Sequence, residues 1–227
     1  MQKKIFIIVS CVVLIAAAIV GGVFLIKTKD LQPETNSIAI EGTWHVYQKG
    51  QADFGQSYFV FADGKVTNYR DGSTTPSFES EYTLSGLLIT IAKLEQDFSI
   101  EKKTDNVLLL YNQETEYLIV RAATNAHQSQ QNYDMSDFSG KYSVSLHANN
   151  VFGEEIIDFN GSNFVCTRNG EEYLKTTFSV NNGILSLVTP NGAMELKICF
   201  NDVNSIRFVE KNAQGEYLAW ELVLIEE

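Results

Sequence analysis

Proline, histidine and cysteine each occur only three times in this chain of 227 residues, and each shortage narrows what it can be. His45, His127 and His147 do not stand at ligand spacing from one another or from a cysteine or acid, so no metal set is expected. They read as solvated surface residues. The acid pairs Glu154-Glu155 and Glu171-Glu172 lack the D-x-[DN]-x-[DN]-G spacing of a calcium loop. No G-x-S-x-G context supports a Ser-His-Asp triad, and there is no G-x-x-x-x-G-K-[ST] phosphate loop. No catalytic residue, cofactor or metal is therefore expected, and an enzyme has no positive support. Bases are scarce too: 17 against 28 acids, a formal net charge of −11. Lys3, Lys4, Lys27 and Lys29 lie in the first thirty residues, so the rest is more acidic still. Such a chain repels nucleic acid and anionic lipid surfaces.

Charge is absent altogether from Ile5 to Ile26. A helix of these 22 residues, at about 1.5 Å per residue, is long enough to cross a bilayer core. Cleavage after Ala16-Ala17-Ala18 would leave IVGGVFLI exposed at a new N-terminus, and the lipobox-like Ile8-Val9-Ser10-Cys11 has too short an apolar run before it. An uncleaved signal anchor over 1–26 is the favoured reading. Its short basic N-terminal tail points to the cytoplasm, placing everything from Lys27 onward outside. Residues 27–39 read as a polar tether.

Beyond the anchor, helical periodicity is lacking and repetition takes its place. Gly42–Gly72 laid without a gap on Gly140–Gly170 repeats Gly42, Val46, Phe54-Gly55, Phe61, Arg70 and Gly72 as Gly140, Val144, Phe152-Gly153, Phe159, Arg168 and Gly170. Two modules follow, 40–122 and 138–227, separated by a Gln/Asn/Ser-rich stretch, 123–137, that reads as a flexible linker. Apolar residues alternate with period two between Asp-Gly and Asn-Gly turn signals. Strands are expected to open near 42, 57, 65, 78, 87, 96, 107 and 117, and near 140, 154, 163, 174, 184, 193, 204 and 216. Eight short consecutive strands per module predict an all-β protein of two small antiparallel meander barrels, with an open sandwich as the alternative. Met194, Leu196, Ile198 and Phe200 should share a buried face.

Gly42-Thr43-Trp44 at the head of the first strand has the G-x-W form of the lipocalins, and the chain resembles the short bacterial lipocalin-like domains in tandem. The resemblance implies that Trp44 closes one barrel end with Arg121 packed across it, and that the other end takes a small apolar molecule. Module two departs from it, with Tyr142 for the tryptophan and Glu221 near the position of the arginine, so its end should be closed differently.

Cys166 and Cys199 have Asn68 and Glu101 as counterparts in module one, so the shared fold requires neither. On the third and sixth strands and facing outward, they should be too far apart to bridge, and free thiols are expected. The interior aromatics Trp44, Phe59, Phe61, Tyr82, Phe159, Phe164, Phe178 and Trp220 suit a packed core, and a ligand pocket is the competing expectation. The chain thus reads as a membrane-anchored, extracytoplasmic binding or interaction protein. Its partner is a small apolar molecule in a barrel; the alternative is a ligand-free interaction or spacer module.

Overall fold

The computed structural model describes residues 38–51, 57–128, 132–148, 150, 154–202 and 204–226. The expected membrane segment and nearly all of the tether lie outside the described residues. No helix among the described residues is long and apolar enough to cross a membrane.

The described residues form two closed eight-stranded antiparallel barrels. The first contains β1 (Gly42–Gln48), β2 (Ser57–Ala62), β3 (Lys65–Arg70), β4 (Phe78–Ser85), β5 (Leu88–Ile91), β6 (Gln96–Thr104), β7 (Val107–Tyr111) and β8 (Glu116–Arg121). The second contains β9 (Gly140–Leu146), β10 (Glu155–Asn160), β11 (Asn163–Arg168), β12 (Glu171–Asn181), β13 (Ile184–Thr189), β14 (Gly192–Asn201), β15 (Ser205–Lys211) and β16 (Tyr217–Leu224). Each strand pairs with its neighbours in sequence, and β1–β8 and β9–β16 pairs close the two rings. Closure removes the unpaired edges that such short strands would otherwise present. The tight turns follow their residues. Asp63-Gly64, between paired Ala62 and Lys65, takes positive φ at both positions (52° and 74°), the geometry that matches the twist of a two-residue hairpin.

Alternation fills both interiors. Trp44, Phe61, Val66, Ile89, Phe98, Leu108, Leu110 and Ile119 are among the core of barrel 1. Barrel 2 holds a denser aromatic set, in which Phe159 packs edge-on against Tyr142, Phe164 and Phe178, and Phe138 stacks on Phe208.

The alternation fails at one strand. A register shift between Ile198 and Phe200 inserts an extra residue into β14, so Phe200 pairs with Arg207 rather than joining Ile198 inside. Its ring lies 4.2 Å from the Arg207 guanidinium, outside the barrel. The expected buried face of β14 therefore ends at Ile198.

The segment expected to be a flexible linker is docked in its described parts. Ala126 and His127 are buried in a 3-10 turn, Ala126–Gln128, and His127 stacks on Tyr69 with ring centres 4.1 Å apart. A second turn, Met135–Asp137, begins with a capping box between Asp134 and Asp137.

The barrels share a buried joint within one compact unit, Ile38–Glu227. Tyr47, Val107, Leu118 and Val120 from barrel 1 form one apolar cluster with Leu146, Cys199, Val209, Tyr217 and Ala219 from barrel 2. A valine or leucine fully removed from water contributes about 1.5–3 kcal/mol, so separating the barrels would be costly. Polar contacts flank the cluster. Arg207 Nη1 donates to the Arg121 carbonyl at 2.7 Å, and Asn106 Nδ2 donates to Glu221 Oε1 at 2.6 Å. Glu221 also takes Arg207 Nε at 3.3 Å and the Ser145 hydroxyl at 3.1 Å. Tyr217 donates its hydroxyl to the Gln51 carbonyl at 2.7 Å.

Candidate functional site

At one end of barrel 1, the chain before β1 folds across the opening. Ile38 and Ile40 are buried in the core, and Trp44 Nε1 donates to the Ile40 carbonyl at 2.7 Å. The Arg121 guanidinium lies 4.2 Å from the Trp44 ring and donates to the Glu41 carbonyl at 2.8 Å and the Ala39 carbonyl at 2.6 Å. A Cβ on Gly42 would sit 2.7 Å from Arg121 Nη1. Glycine before the tryptophan therefore makes room for the arginine. With its donors directed at carbonyls and its face on an indole, Arg121 closes this end.

The same end of barrel 2 is built from different residues. Leu224, not Glu221, pairs with Tyr142 as Arg121 pairs with Trp44. Phe138, 2% exposed, packs against Phe159, Phe178 and Phe208 beneath the opening. Glu221 belongs instead to the joint. Between inward Trp220 and Leu222, ordinary alternation turns it out of the barrel.

The opposite ends, the mouths, differ more sharply. In barrel 1 the mouth leads to a cavity of about 330 Å³. Val46, Phe59, Phe78 and Leu94 supply apolar wall; Gln48, Gln51, Ser57, Asn68 and Tyr117 supply uncharged polar groups. Asn68 Nδ2 donates to the Ser57 hydroxyl at 2.7 Å and to the Tyr58 carbonyl at 3.1 Å, which orients the polar wall. The Tyr117 ring stands edge-on to Phe59 and Phe98. Burial raises its pKa, so the hydroxyl keeps its proton and can donate. None of these lining residues is charged, which suits a neutral guest.

In barrel 2 the gapless repeat puts Glu155 where barrel 1 has Ser57. Glu155 points inward with Ile157 and Phe159 and has no exposed side-chain surface. Arg168 Nε donates to its Oε1 at 2.6 Å, Arg168 Nη2 also contacts that oxygen, and His147 Nδ1 lies 2.8 Å from Oε2. His147 in turn lies against Trp220, ring centres 3.8 Å apart, and Trp220 Nε1 donates to Glu210 at 3.3 Å. These groups occupy the mouth that is open in barrel 1.

Of the remaining singled-out residues, the histidines and Cys166 depart from expectation. The histidines are not solvated surface groups: His45 and His127 are 4% and 5% exposed. His45 does face away from the barrel 1 interior, but its outer face is covered by barrel 2. Its Nε2 donates to the Cys199 carbonyl at 3.2 Å. Burial lowers the pKa of His127. Both Cys166 and Cys199 are free, but only Cys199 faces outward, into the joint, where its thiol is hydrogen-bonded to the Tyr47 hydroxyl at 2.8 Å. Cys166 pairs with inward Ile157 and belongs to the barrel 2 core. Burial pushes the Cys166 thiol up to about 11 and that of Cys199 to about 12. Among the described residues no group of three or more His, Cys, Asp or Glu side chains could hold a metal ion.

Sequence reasoning missed the Glu155 plug and the Arg207–Glu221 joint. The first had a signal, since an acid in phase with Ile157 and Phe159 stands on a buried face.

No protein-family model matches the chain, and no curated protein matches it. Fold and mouths define a tandem two-barrel protein with one barrel mouth open to a cavity and the other filled.

Proposed function

We propose that this chain is a membrane-anchored, extracytoplasmic binding protein that takes a small neutral, mostly apolar molecule into the mouth of barrel 1, with barrel 2 as its support. The carrying observation is the contrast between the mouths: a cavity of about 330 Å³ whose described lining residues are uncharged in one copy and a buried Glu155–Arg168 pair at the same place in the other. That volume lies at the low end of small-molecule sites, which span about 300–1,000 Å³. A lipocalin-like relationship supports the reading through Gly42-Thr43-Trp44 and the Arg121 contact across the indole. The anchor and the outside placement rest on the apolar run of residues 5–26 and its basic N-terminal tail.

Titration with the neutral dye N-phenyl-1-naphthylamine tests the pocket. Saturable binding at one site per chain, lost in S57E, is expected; no saturable enhancement, or equal binding in S57E, refutes it. Protease added to intact cells tests placement, and modules protected until lysis would refute that part alone. A ligand-free interaction role draws on one feature, the exposed Leu84, Leu87 and Leu88 at the β4–β5 turn, and gains if the dye finds no site.

A further inference from the structure

A second crevice lies outside both barrels, where the joint opens beside the connecting segment. It measures about 180 Å³ and takes its walls from three parts of the chain. Barrel 1 contributes His45, Tyr58 and Asp71, the connecting segment contributes Asn132, and barrel 2 contributes Asn182, Lys197 and Ile198. His45, Tyr58 and Ile198 are buried and make the floor, while the remaining four, half-buried or exposed, form a polar rim.

The rim carries one charge of each sign, on opposite barrels. Asp71 accepts the Tyr58 hydroxyl through Oδ1 at 3.2 Å. No ion pair among the described residues involves either Asp71 or Lys197. The floor fixes the geometry of this wall. The Tyr58 and His45 rings are in contact at 4.4 Å, and His45 is held to barrel 2 through the Cys199 carbonyl. The crevice therefore exists only while the barrels are docked.

We infer that this inter-barrel crevice binds a small zwitterion of the α-amino-acid type, its carboxylate directed to Lys197 and its ammonium to Asp71. Opposite charges on facing walls reject simple anions and simple cations equally, because either would satisfy one rim charge and meet the other as a like charge. The side-chain amides of Asn132 and Asn182 can donate to a carboxylate or accept from an ammonium. The face of Tyr58 leaves a small apolar surface for a short side chain. The volume, room for about six waters at about 30 Å³ each, suits a small amino acid rather than a peptide. Ligand held by both barrels also stabilises their docking through mass action.

Calorimetric titration of the two-barrel chain with glycine, L-alanine and L-serine, beside acetate and methylammonium, tests this. The expected result is saturable one-site binding of at least one amino acid, with acetate and methylammonium weaker by at least about tenfold, since each loses one charge-assisted contact. K197M and D71N should each weaken the amino acid at least about tenfold and leave binding of N-phenyl-1-naphthylamine in barrel 1 unchanged. Binding of that dye also reports that both variants fold, so the two sites succeed or fail separately. The inference is overturned if none of the three amino acids gives a saturable signal, if K197M or D71N binds like the parent, or if acetate or methylammonium binds as tightly. It is also overturned if D71N and K197M destabilise the ligand-free chain non-additively, because the two side chains would then be satisfying each other.

Discussion

Removing Arg168 should cost more stability than removing Glu155, although they are the two ends of one ion pair. Glu155 has no exposed side-chain surface, whereas Arg168 keeps 39% of its side chain in water. In R168M the carboxylate remains buried with only His147 to meet it. Breaking a buried pair from one side costs about 3–5 kcal/mol, and the exposure of Arg168 brings the expectation to about 3 kcal/mol. In E155L the guanidinium can turn to solvent over Tyr173, whose ring it already contacts at 4.7 Å. Leucine then adds apolar volume beside Ile157, so the loss should stay within about 1 kcal/mol. The double variant should resemble E155L, giving a coupling of about 3 kcal/mol. Urea unfolding measures all four proteins, with Trp220, which stacks on His147, as the fluorescent reporter of barrel 2. Midpoint shifts at constant slope convert to stability. Equal losses in the two single variants, or a larger loss in E155L, would refute the view that a desolvated carboxylate fills this mouth.

The other expectations are simpler to state. S57E should place a carboxylate opposite Arg70, with which Ser57 pairs, and abolish dye uptake while preserving the far-ultraviolet spectrum; an unchanged dye isotherm contradicts the correspondence of the mouths. R121M should lose about 2 kcal/mol of stability, from two charge-assisted hydrogen bonds and a cation–π contact, and shift Trp44 emission; unchanged thermal unfolding would sink it. Cys166 and Cys199 should resist an aromatic disulfide reagent at pH 8 in the native chain and both react in denaturant, whereas rapid native reaction would contradict their burial. Burial raises the Cys199 thiol from the ordinary 9.0 to about 12. The unfolded chain therefore releases a proton that the fold retains, and stability present below about pH 9 should fall progressively toward pH 12. C199A should flatten that fall; a variant with the same alkaline profile as the parent would show that Cys199 is not its source.

The strands were legible in the sequence because each carries its own evidence, a period of two bounded by residues that tolerate positive φ. Fifteen of the sixteen open within two residues of the expected positions, and the exception, β12, opens at Glu171 in a charged, exposed stretch with no apolar phase to mark it. The Trp44 and Arg121 positions were readable because both lie in strands that must pair across the ring. What alternation could not supply was the outer faces. His45, Tyr47, Cys199 and Arg207 all sit at outward phases, and outward ordinarily means solvent. Here it means the other barrel, a relation set by non-local contacts that leave no periodic trace. Phe200 was misplaced for a related reason, since an inserted residue at a bulge reverses the phase of everything after it.

The joint also sets how the two copies are held. A closed barrel has no edges to protect, so two such modules on one chain need not touch. These do, through outward Val107, Leu118 and Val120 of barrel 1 and Val209, Tyr217 and Ala219 of barrel 2, surfaces that would be apolar patches on separate modules. Apolar burial favours contact without fixing its register. Glu221 supplies the directional part, because its carboxylate is shared by Arg207 and Ser145 of its own barrel and Asn106 of the other. A buried carboxylate with partners on both sides tolerates little sliding, since displacement would strand a charge away from water. Under the proposed binding role, barrel 2 serves as support: its interior is filled by a dense phenylalanine core and the Glu155 plug, and the cavity of barrel 1 is where a ligand would be held.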